Sequence, residues 1–213
     1  MKSFAPFLIL IVPAMLSACS VAPHYKDYTQ YLEVKSLPLP TKEKFIHCHG
    51  YGCHHQKYVS IHPNDWRKIK NHFRRSAKSP SQERKKIAAA IKDFEIIVGT
   101  MTGTSADIKD TFLKTGPFQL DCNDESINTS TYIFLMQSQG WLQFHTLAAP
   151  SIRPPGGGSL WLHESAVIIE TKTNTHYAVD SWWQDNGHKP YIIPYDEWQN
   201  GWRPSETKDD KNL

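Results

Sequence analysis

The chain lacks several features that would assign it to a special class of protein. Its main apolar run, Phe4 to Met15, is too short to cross a bilayer, and no internal repeat divides its 213 residues. Four irregularly spaced cysteines do not form the framework of a disulfide-stapled mini-protein. A formal net charge of +3 falls far short of the positive field that nucleic-acid binding needs, so no nucleic-acid partner is expected. The 39% of hydrophobic residues can instead build a core, and one domain is expected.

The N-terminus has the pattern of a signal peptide: Lys2, the apolar run, and the small residues of Leu16-Ser17-Ala18-Cys19. This tetrad resembles the lipobox of bacterial lipoproteins, in which the cysteine is lipidated and becomes the first residue of the mature chain. The resemblance implies a signal peptide over residues 1–18, an acyl anchor such as palmitate on Cys19, and a chain that faces the periplasm. Ser20 resembles the residue that directs such lipoproteins to the outer membrane. The alternative is an ordinary secretory signal that contains a cysteine by chance.

The rest of the chain divides by composition. Residues 19–44 contain Pro23, Pro38 and Pro40, which predicts an extended tether. Residues 45–213 are expected to form a single domain, with a helical part over 45–116, a second part over 117–202 and a polar tail over 203–213.

Two helices are predicted in the first of these parts. Trp66, Ile69 and Phe73 recur at helical spacing after Asn64, which is the expected cap. A second helix begins at the capping sequence Ser79-Pro80-Ser81-Gln82 and is expected to end at Gly99. Basic residues from position 67 to position 86 give these helices a positive face, which is either simply solvated or faces a membrane or a glycan.

The second part changes its period along the chain. A polar connection over 99–116 is followed by a helix from Asp121 or Cys122 to Gly140. A strand is expected over 142–147, a loop over 150–158, and a β-hairpin whose strands, 166–169 and 177–179, flank Lys172-Thr173-Asn174. The mixture predicts an α+β fold.

Cys122 stands at the predicted start of a helix. The positive potential there favours a thiolate, whereas the neighbouring acids Asp121, Asp124 and Glu125 raise the pKa of the thiol. A nucleophilic cysteine at this position would therefore need a nearby base.

The hairpin offers that base together with an acceptor for it. His163 precedes the first strand and Asp180 lies near the end of the second, so strands folded back about the predicted turn would place the two side by side. A helix packed on this sheet would then bring Cys122 to the pair, with Cys122 as nucleophile, His163 as base and Asp180 as the residue that orients His163. The backbone N–H of Cys122 and the side chain of Gln119 are candidate oxyanion donors.

A helix-borne cysteine followed by a strand-borne histidine and then an aspartate on the next strand resembles the transglutaminase-like superfamily. The likeness covers roughly residues 117–195 and is nearest to the bacterial transglutaminase-like cysteine proteinases, through Asp121-Cys122-Asn123-Asp124-Glu125 and the hairpin from His163 to Asp180. It implies a papain-like core with the cysteine helix packed on an antiparallel sheet. It also implies calcium at Asp121 and Asp124, although Asn123 stands where another acid would be expected.

Two classes of function follow. The first is a cysteine peptidase or amidase that cleaves a peptide, isopeptide or other amide bond of an envelope substrate through a thioester, with hydrolysis and cross-linking left open. The second is a non-enzymatic module on a degenerate form of the fold that binds a protein, a glycan or a metal. A buried free cysteine with an unrelated histidine and aspartate is the structural alternative for each residue taken alone.

Cys48 and Cys53 lie in His47-Cys48-His49-Gly50-Tyr51-Gly52-Cys53-His54-His55, which contains enough thiols and imidazoles to bind zinc or copper. The four residues between the cysteines do not fit the Cys-x-x-Cys-His pattern of haem attachment. In an oxidising compartment a disulfide is favoured over zinc.

Aromatic residues are frequent after Asp180. Core packing is expected for at least half of them, and the others could form walls for a substrate. They are Trp182, Trp183, Tyr191, Tyr195, Trp198 and Trp202.

Overall fold

The computed structural model describes residues 25–111, 116–155 and 161–205. The signal peptide, Cys19, the start of the tether, residues 156–158 of the predicted loop and most of the polar tail lie outside these ranges. Within them the chain is an α+β fold, and none of its helices has the length and apolarity needed to span a membrane. The elements are α1 (Tyr28–Val34), β1 (Phe45–His49), β2 (His55–Val59), α2 (Pro63–Asn71), α3 (Pro80–Thr102), α4 (Cys122–Ser138), β3 (His145–Leu147), β4 (Ser151–Arg153), β5 (His163–Glu170), β6 (Thr175–Asp180), β7 (Tyr191–Pro194) and α5 (Tyr195–Gln199).

Two antiparallel sheets are present in the described ranges. The larger has the strand order β3-β5-β6-β7, and β4 pairs with β5 beside β3. The smaller is the hairpin β1-β2.

The main core lies between α3, α4 and the larger sheet. The stripe predicted on α3 is fully buried there: Ile87, Ile91, Phe94 and Val98 are each 0% exposed. Phe94 stacks on Tyr132 of α4 with ring centroids 4.6 Å apart. Burial of side chains of this size stabilises the fold by roughly 1.5–3 kcal/mol each, which holds α4 firmly against the sheet.

Both predicted helices of the first part form, with different ends. The cap of α2 is His62, whose side chain accepts from the N–H of Asn64, and Pro63 occupies the first turn. Helix α3 continues through Gly99 to Thr102 and ends at Gly103, which has a φ of 93°. Gly99 serves close packing instead, because a Cβ there would lie 2.9 Å from Nδ2 of Asn186.

The extended tether predicted over residues 19–44 is wrong for residues 28–34, which form α1. Asp27 caps this helix, and Tyr28, Tyr31 and Leu32 recur at helical spacing on its buried side. The Tyr28 hydroxyl lies 2.8 Å from Thr131 Oγ1 on α4. The three prolines that suggested a tether all lie outside the helix.

Three further expectations need correction. The helical part predicted over 45–116 also contains the strands β1 and β2. Every residue of β1 is buried against the rest of the protein. The strand predicted over 142–147 begins only at His145. The loop predicted over 150–158 contains β4, which pairs with the start of β5.

Candidate active site

His163 and Asp180 meet on adjacent strands. Ala166 pairs with Val179, so continuing the register puts Asp180 beside Ser165, and His163 is its diagonal neighbour on the same face. The sequence predicted that the two residues would be directly opposed. They lie instead one diagonal step apart. A histidine ring spans that step, and His163 Nε2 lies 2.6 Å from Asp180 Oδ2.

Asp180 has a second donor that the sequence did not predict. The indole Nε1–H of Trp198, on α5, donates to the same Oδ2 at 2.8 Å. Trp198 is held in turn by Arg153, whose Nη1 donates to the carbonyl oxygens of Trp198 and Trp202 at 2.5 and 3.0 Å. This arrangement fixes the carboxylate oxygen that accepts from His163.

The imidazole of His163 is enclosed by indoles. Its ring centroid lies 4.9 Å from that of Trp182 and 5.8 Å from those of Trp183 and Trp198. The side chain is 3% exposed, and its second nitrogen, Nδ1, is buried without a hydrogen-bond partner among the described residues. Since Nε2 is committed to Asp180, Nδ1 is the nitrogen that can exchange a proton with a neighbouring group.

Cys122 is the first residue of α4. Asp121 caps the helix and forms a reciprocal capping box with Asp124, which sets where the helix starts. The backbone N–H of Glu164, the residue after His163, donates to the sulfur of Cys122. The thiol therefore lies at the start of β5, within the same small region as the His163–Asp180 pair.

The thiol is buried beneath aromatic rings. Cys122 is 4% exposed and clusters with Trp182 and Trp183. This burial raises the pKa of the thiol to about 12, against the opposing effect of the Glu164 N–H. Desolvation thus outweighs the hydrogen bond from Glu164, and the protonated thiol is favoured.

The predicted disulfide between Cys48 and Cys53 is present. It closes a turn in which residues 50–53 all have positive φ, a conformation in which successive N–H groups converge. The N–H groups of Tyr51 and Cys53 donate to Asp124 at 2.7 and 2.6 Å. We call residues 48–53 the disulfide turn. Its N–H groups are hydrogen-bonded to the first turn of the helix that carries Cys122.

The two acids expected to bind calcium are occupied by backbone donors. Asp124 accepts from the disulfide turn and from the N–H of Asp121, and Asp121 accepts from Gly52 and Asp124. Among the described residues no group of three or more potential ligands is arranged to hold a metal ion. Calcium at these acids and zinc at the cysteines remain predictions.

The side chain of Gln119, the predicted oxyanion donor, is hydrogen-bonded to the backbone in this structure. Its Nε2 donates to the carbonyl of Ala106 at 3.1 Å and its Oε1 accepts from the N–H of Ile108 at 3.3 Å. The backbone carbonyl of Gln119 accepts from the N–H of Gly50 in the disulfide turn at 2.8 Å. The amide thus fixes the segment that leads into Cys122.

Buried carboxylates lie behind the helix start. Burial raises the pKa of Glu95 to about 8 and that of Asp107 to about 7, and it raises the pKa of Glu125 further above its usual range. Charge repulsion among these groups adds to the effect of burial, so Glu95 and Glu125 are favoured in the protonated form at neutral pH and Asp107 changes its protonation near pH 7.

The described residues thus place a buried thiol at the strand end that carries the paired imidazole and carboxylate, the three kinds of group that nucleophilic acyl transfer uses. The sequence did not predict the contributions of Trp198, Arg153 and Glu164, because none of them belongs to a local periodic pattern that points to Asp180 or Cys122. No protein-family model, curated protein or solved structure matches this chain.

Proposed function

We propose that the chain is a cysteine hydrolase that cleaves a peptide, isopeptide or other amide bond through a thioester. Cys122 Sγ attacks the carbonyl carbon, and His163 Nδ1 accepts the thiol proton and delivers it to the leaving amine. Asp180 orients His163 and stabilises its charged form. Water then hydrolyses the thioester, or a second amine replaces it in a cross-linking reaction.

One observation carries this proposal: His163 Nε2 is fixed on Asp180 at 2.6 Å while Nδ1 is buried and free of partners among the described residues. A buried polar atom without a partner costs stability, and this one belongs to the residue before Glu164, whose N–H donates to the Cys122 sulfur, which favours a functional role. The N–H of Cys122, in the first turn of α4, has no acceptor within the helix and is the candidate oxyanion donor.

We further propose that the fold is papain-like, of the transglutaminase-like kind. Support comes from a cysteine at the start of α4, from the packing of α4 on an antiparallel sheet, and from histidine and aspartate on consecutive strands of that sheet.

The same site favours a second candidate on one observation. Cys122 is buried and its pKa is raised to about 12, which also fits an inactive relative that has kept the fold as a binding module. The enzyme requires the rings over the thiol to move when a substrate binds, whereas the binding module does not.

Turnover distinguishes the two. The full-length protein is incubated with a mixed library of fluorogenic peptide amides, with and without a fluorescent primary amine, and released dye and intact protein mass are measured. The enzyme gives dye release that is lost in Cys122→Ser and His163→Gln, and an acid-stable thioester adduct on the wild type only. Amine incorporation identifies cross-linking. Equal dye release by wild type and Cys122→Ser, or binding of library peptides without turnover, favours the module.

Removing residues 45–58 would unfold the protein instead of testing the binding module. The deletion takes out Phe45, which is 1% exposed in the main core and is the strand partner of the equally buried Val59.

We also propose that the chain is a lipoprotein of the bacterial cell envelope, anchored through Cys19 and facing the periplasm from the outer membrane. The Leu16-to-Cys19 tetrad supports this. Fractionation tests it, because Cys19→Ala should move the protein from the membrane pellet to the soluble fraction. Retention in the pellet would contradict the lipid anchor.

A further inference from the structure

A large cavity opens on the side of the molecule away from Cys122. It measures about 620 Å³ and is formed by α2, the residues flanking the β1-β2 hairpin and the end of α4. Helix α4 runs from Cys122 for 17 residues, so its far end is roughly 25 Å from the thiol at 1.5 Å per residue. The cavity is therefore separate from the candidate active site, and its volume is in the range that binds small ligands.

Two tryptophans provide its apolar wall. Trp66 and Trp141 line the cavity with ring centroids 6.1 Å apart and planes at 73°. Trp141 is also stacked on Phe73 at 5.5 Å, which fixes its orientation. Rigid indole surfaces of this kind suit the apolar faces of flat or ring-shaped ligands.

Cationic side chains surround this wall. Lys42, Arg67 and Lys70 line the cavity, against the single acid Glu43. All three cations are exposed, and Arg67 also donates to the side-chain oxygen of Asn64; two other members of the basic stretch bond elsewhere in the fold, Lys86 to carbonyl oxygens of residues 72 and 75 and Arg84 to Glu170. The positive charge left at the cavity favours an anionic ligand.

A second cavity of about 140 Å³ shares Lys70 and Trp141 in its lining and adds Arg75, Gln143 and the acid Glu83. The two cavities adjoin at the shared residues and are together called the groove, in which linked units of one ligand can contact both cavities. No residue lining the larger cavity belongs to a described strand, so it offers no strand edge to pair with an extended peptide. Aromatic walls, side-chain hydrogen-bond donors and cations match sugar rings that carry carboxylates.

We propose that this groove binds an acidic oligosaccharide, with a sugar ring against the partly exposed Trp141, which the buried Trp66 supports, and carboxylates paired with Arg67, Lys70 and Lys42. The site is independent of the thiol chemistry, and it gives the basic face of α2 a ligand.

Calorimetric titration of the full-length Cys122→Ala protein tests the proposal without interference from turnover. The probes are tetragalacturonate, maltotetraose as the neutral sugar and tetraglutamate as the acidic peptide. Tetragalacturonate should bind with a dissociation constant of about 1 mM or below. Maltotetraose and tetraglutamate should each bind more weakly.

Substitutions on α2 identify the groove. Each of Arg67→Gln and Lys70→Gln removes one solvent-accessible ion pair and should weaken binding roughly twofold to fivefold. Lys68→Gln, on the same helix but bonded to Asp65 at 2.7 Å, is the matched control and should leave affinity unchanged. All three positions are exposed, so the variants should fold.

Absence of tetragalacturonate binding would overturn the proposal, as would equal affinity in the wild type and in Arg67→Gln/Lys70→Gln. Tighter binding of tetraglutamate than of the sugar would show that the groove is a peptide site instead. Equal affinity for maltotetraose would remove the role of charge.

Discussion

Trp183 provides a direct test of how the candidate nucleophile is controlled. Its indole is 8% exposed and packs with Cys122 and Trp182, and it lies 5.8 Å from the ring of His163. Because burial is the largest cause of the raised thiol pKa, replacing this indole by a small side chain should lower that pKa by admitting water.

The magnitude follows from the shift itself. The pKa of the Cys122 thiol rises from its ordinary value of 9.0 to about 12. At pH 8 the thiolate fraction of the closed site is then on the order of 10⁻⁴, against about 10⁻¹ for an unperturbed thiol. Since the thiolate is the reactive form, the wild type should react roughly 10³-fold more slowly than free cysteine.

Alkylation with iodoacetamide, followed by intact mass, measures this rate between pH 6 and pH 10 while Cys48 and Cys53 stay oxidised. Trp183→Ala should react much faster than the wild type, and the gain should shrink in Trp183→Ala/His163→Gln, because the imidazole is the proposed acceptor of the thiol proton. Trp183→Phe, which keeps a ring, should lie between the two and serves if the alanine variant does not fold.

Two results would refute this reasoning. A wild-type rate at or above that of free cysteine at pH 8 would show that burial does not hold the thiol protonated. Identical pH profiles for Trp183→Ala with and without His163→Gln would show that the imidazole does not act on the sulfur.

Three other outcomes are expected. The pKa of Asp107 is raised to about 7, so its neutral form adds stability that is present in acid and lost as the pH rises through 7. The variant Asp107→Asn should therefore show a smaller fall in melting temperature between pH 5 and pH 8 than the wild type. An unchanged fall would contradict this. Replacing Cys48 and Cys53 by serine should lower the free energy of unfolding by about 2 kcal/mol for so short a loop, measured by urea denaturation, and equal midpoints would show that the turn is held by other contacts. Tyr31→Phe removes a 2.6 Å hydrogen bond to a buried glutamate and should cost about 1–3 kcal/mol, whereas no loss would indicate that α1 is not docked.

The parts of the fold that could be predicted from the sequence are those with local signals. The stripe from Ile87 to Val98 and the cap at Ser79 define α3, and the hairpin follows from apolar runs around a turn. Because these patterns repeat every few residues, a single segment carries enough information to identify the element.

The remaining features depend on contacts between distant segments. Helix α1 is stabilised by α4 and β5, more than 90 residues away, as in the Tyr28–Thr131 contact between residues 103 apart, and its own sequence is short and flanked by prolines. The diagonal position of His163 relative to Asp180 reflects a two-residue difference in register, which keeps both on the same face and which the turn sequence does not determine. Trp198 was noted only as one aromatic residue among several, since nothing local links it to Asp180.

The disulfide turn has a consequence for how the protein is made. Its N–H groups hold Asp124, which is synthesised 71 residues after Cys53, so the N-terminal hairpin is complete long before the helix that it will receive. We expect oxidation of the two cysteines to come first and to prepare the docking position for α4. It also follows that a fragment starting at residue 117 would lack the partner of its own first helix, and should fold only when residues 25–111 are supplied as a separate chain.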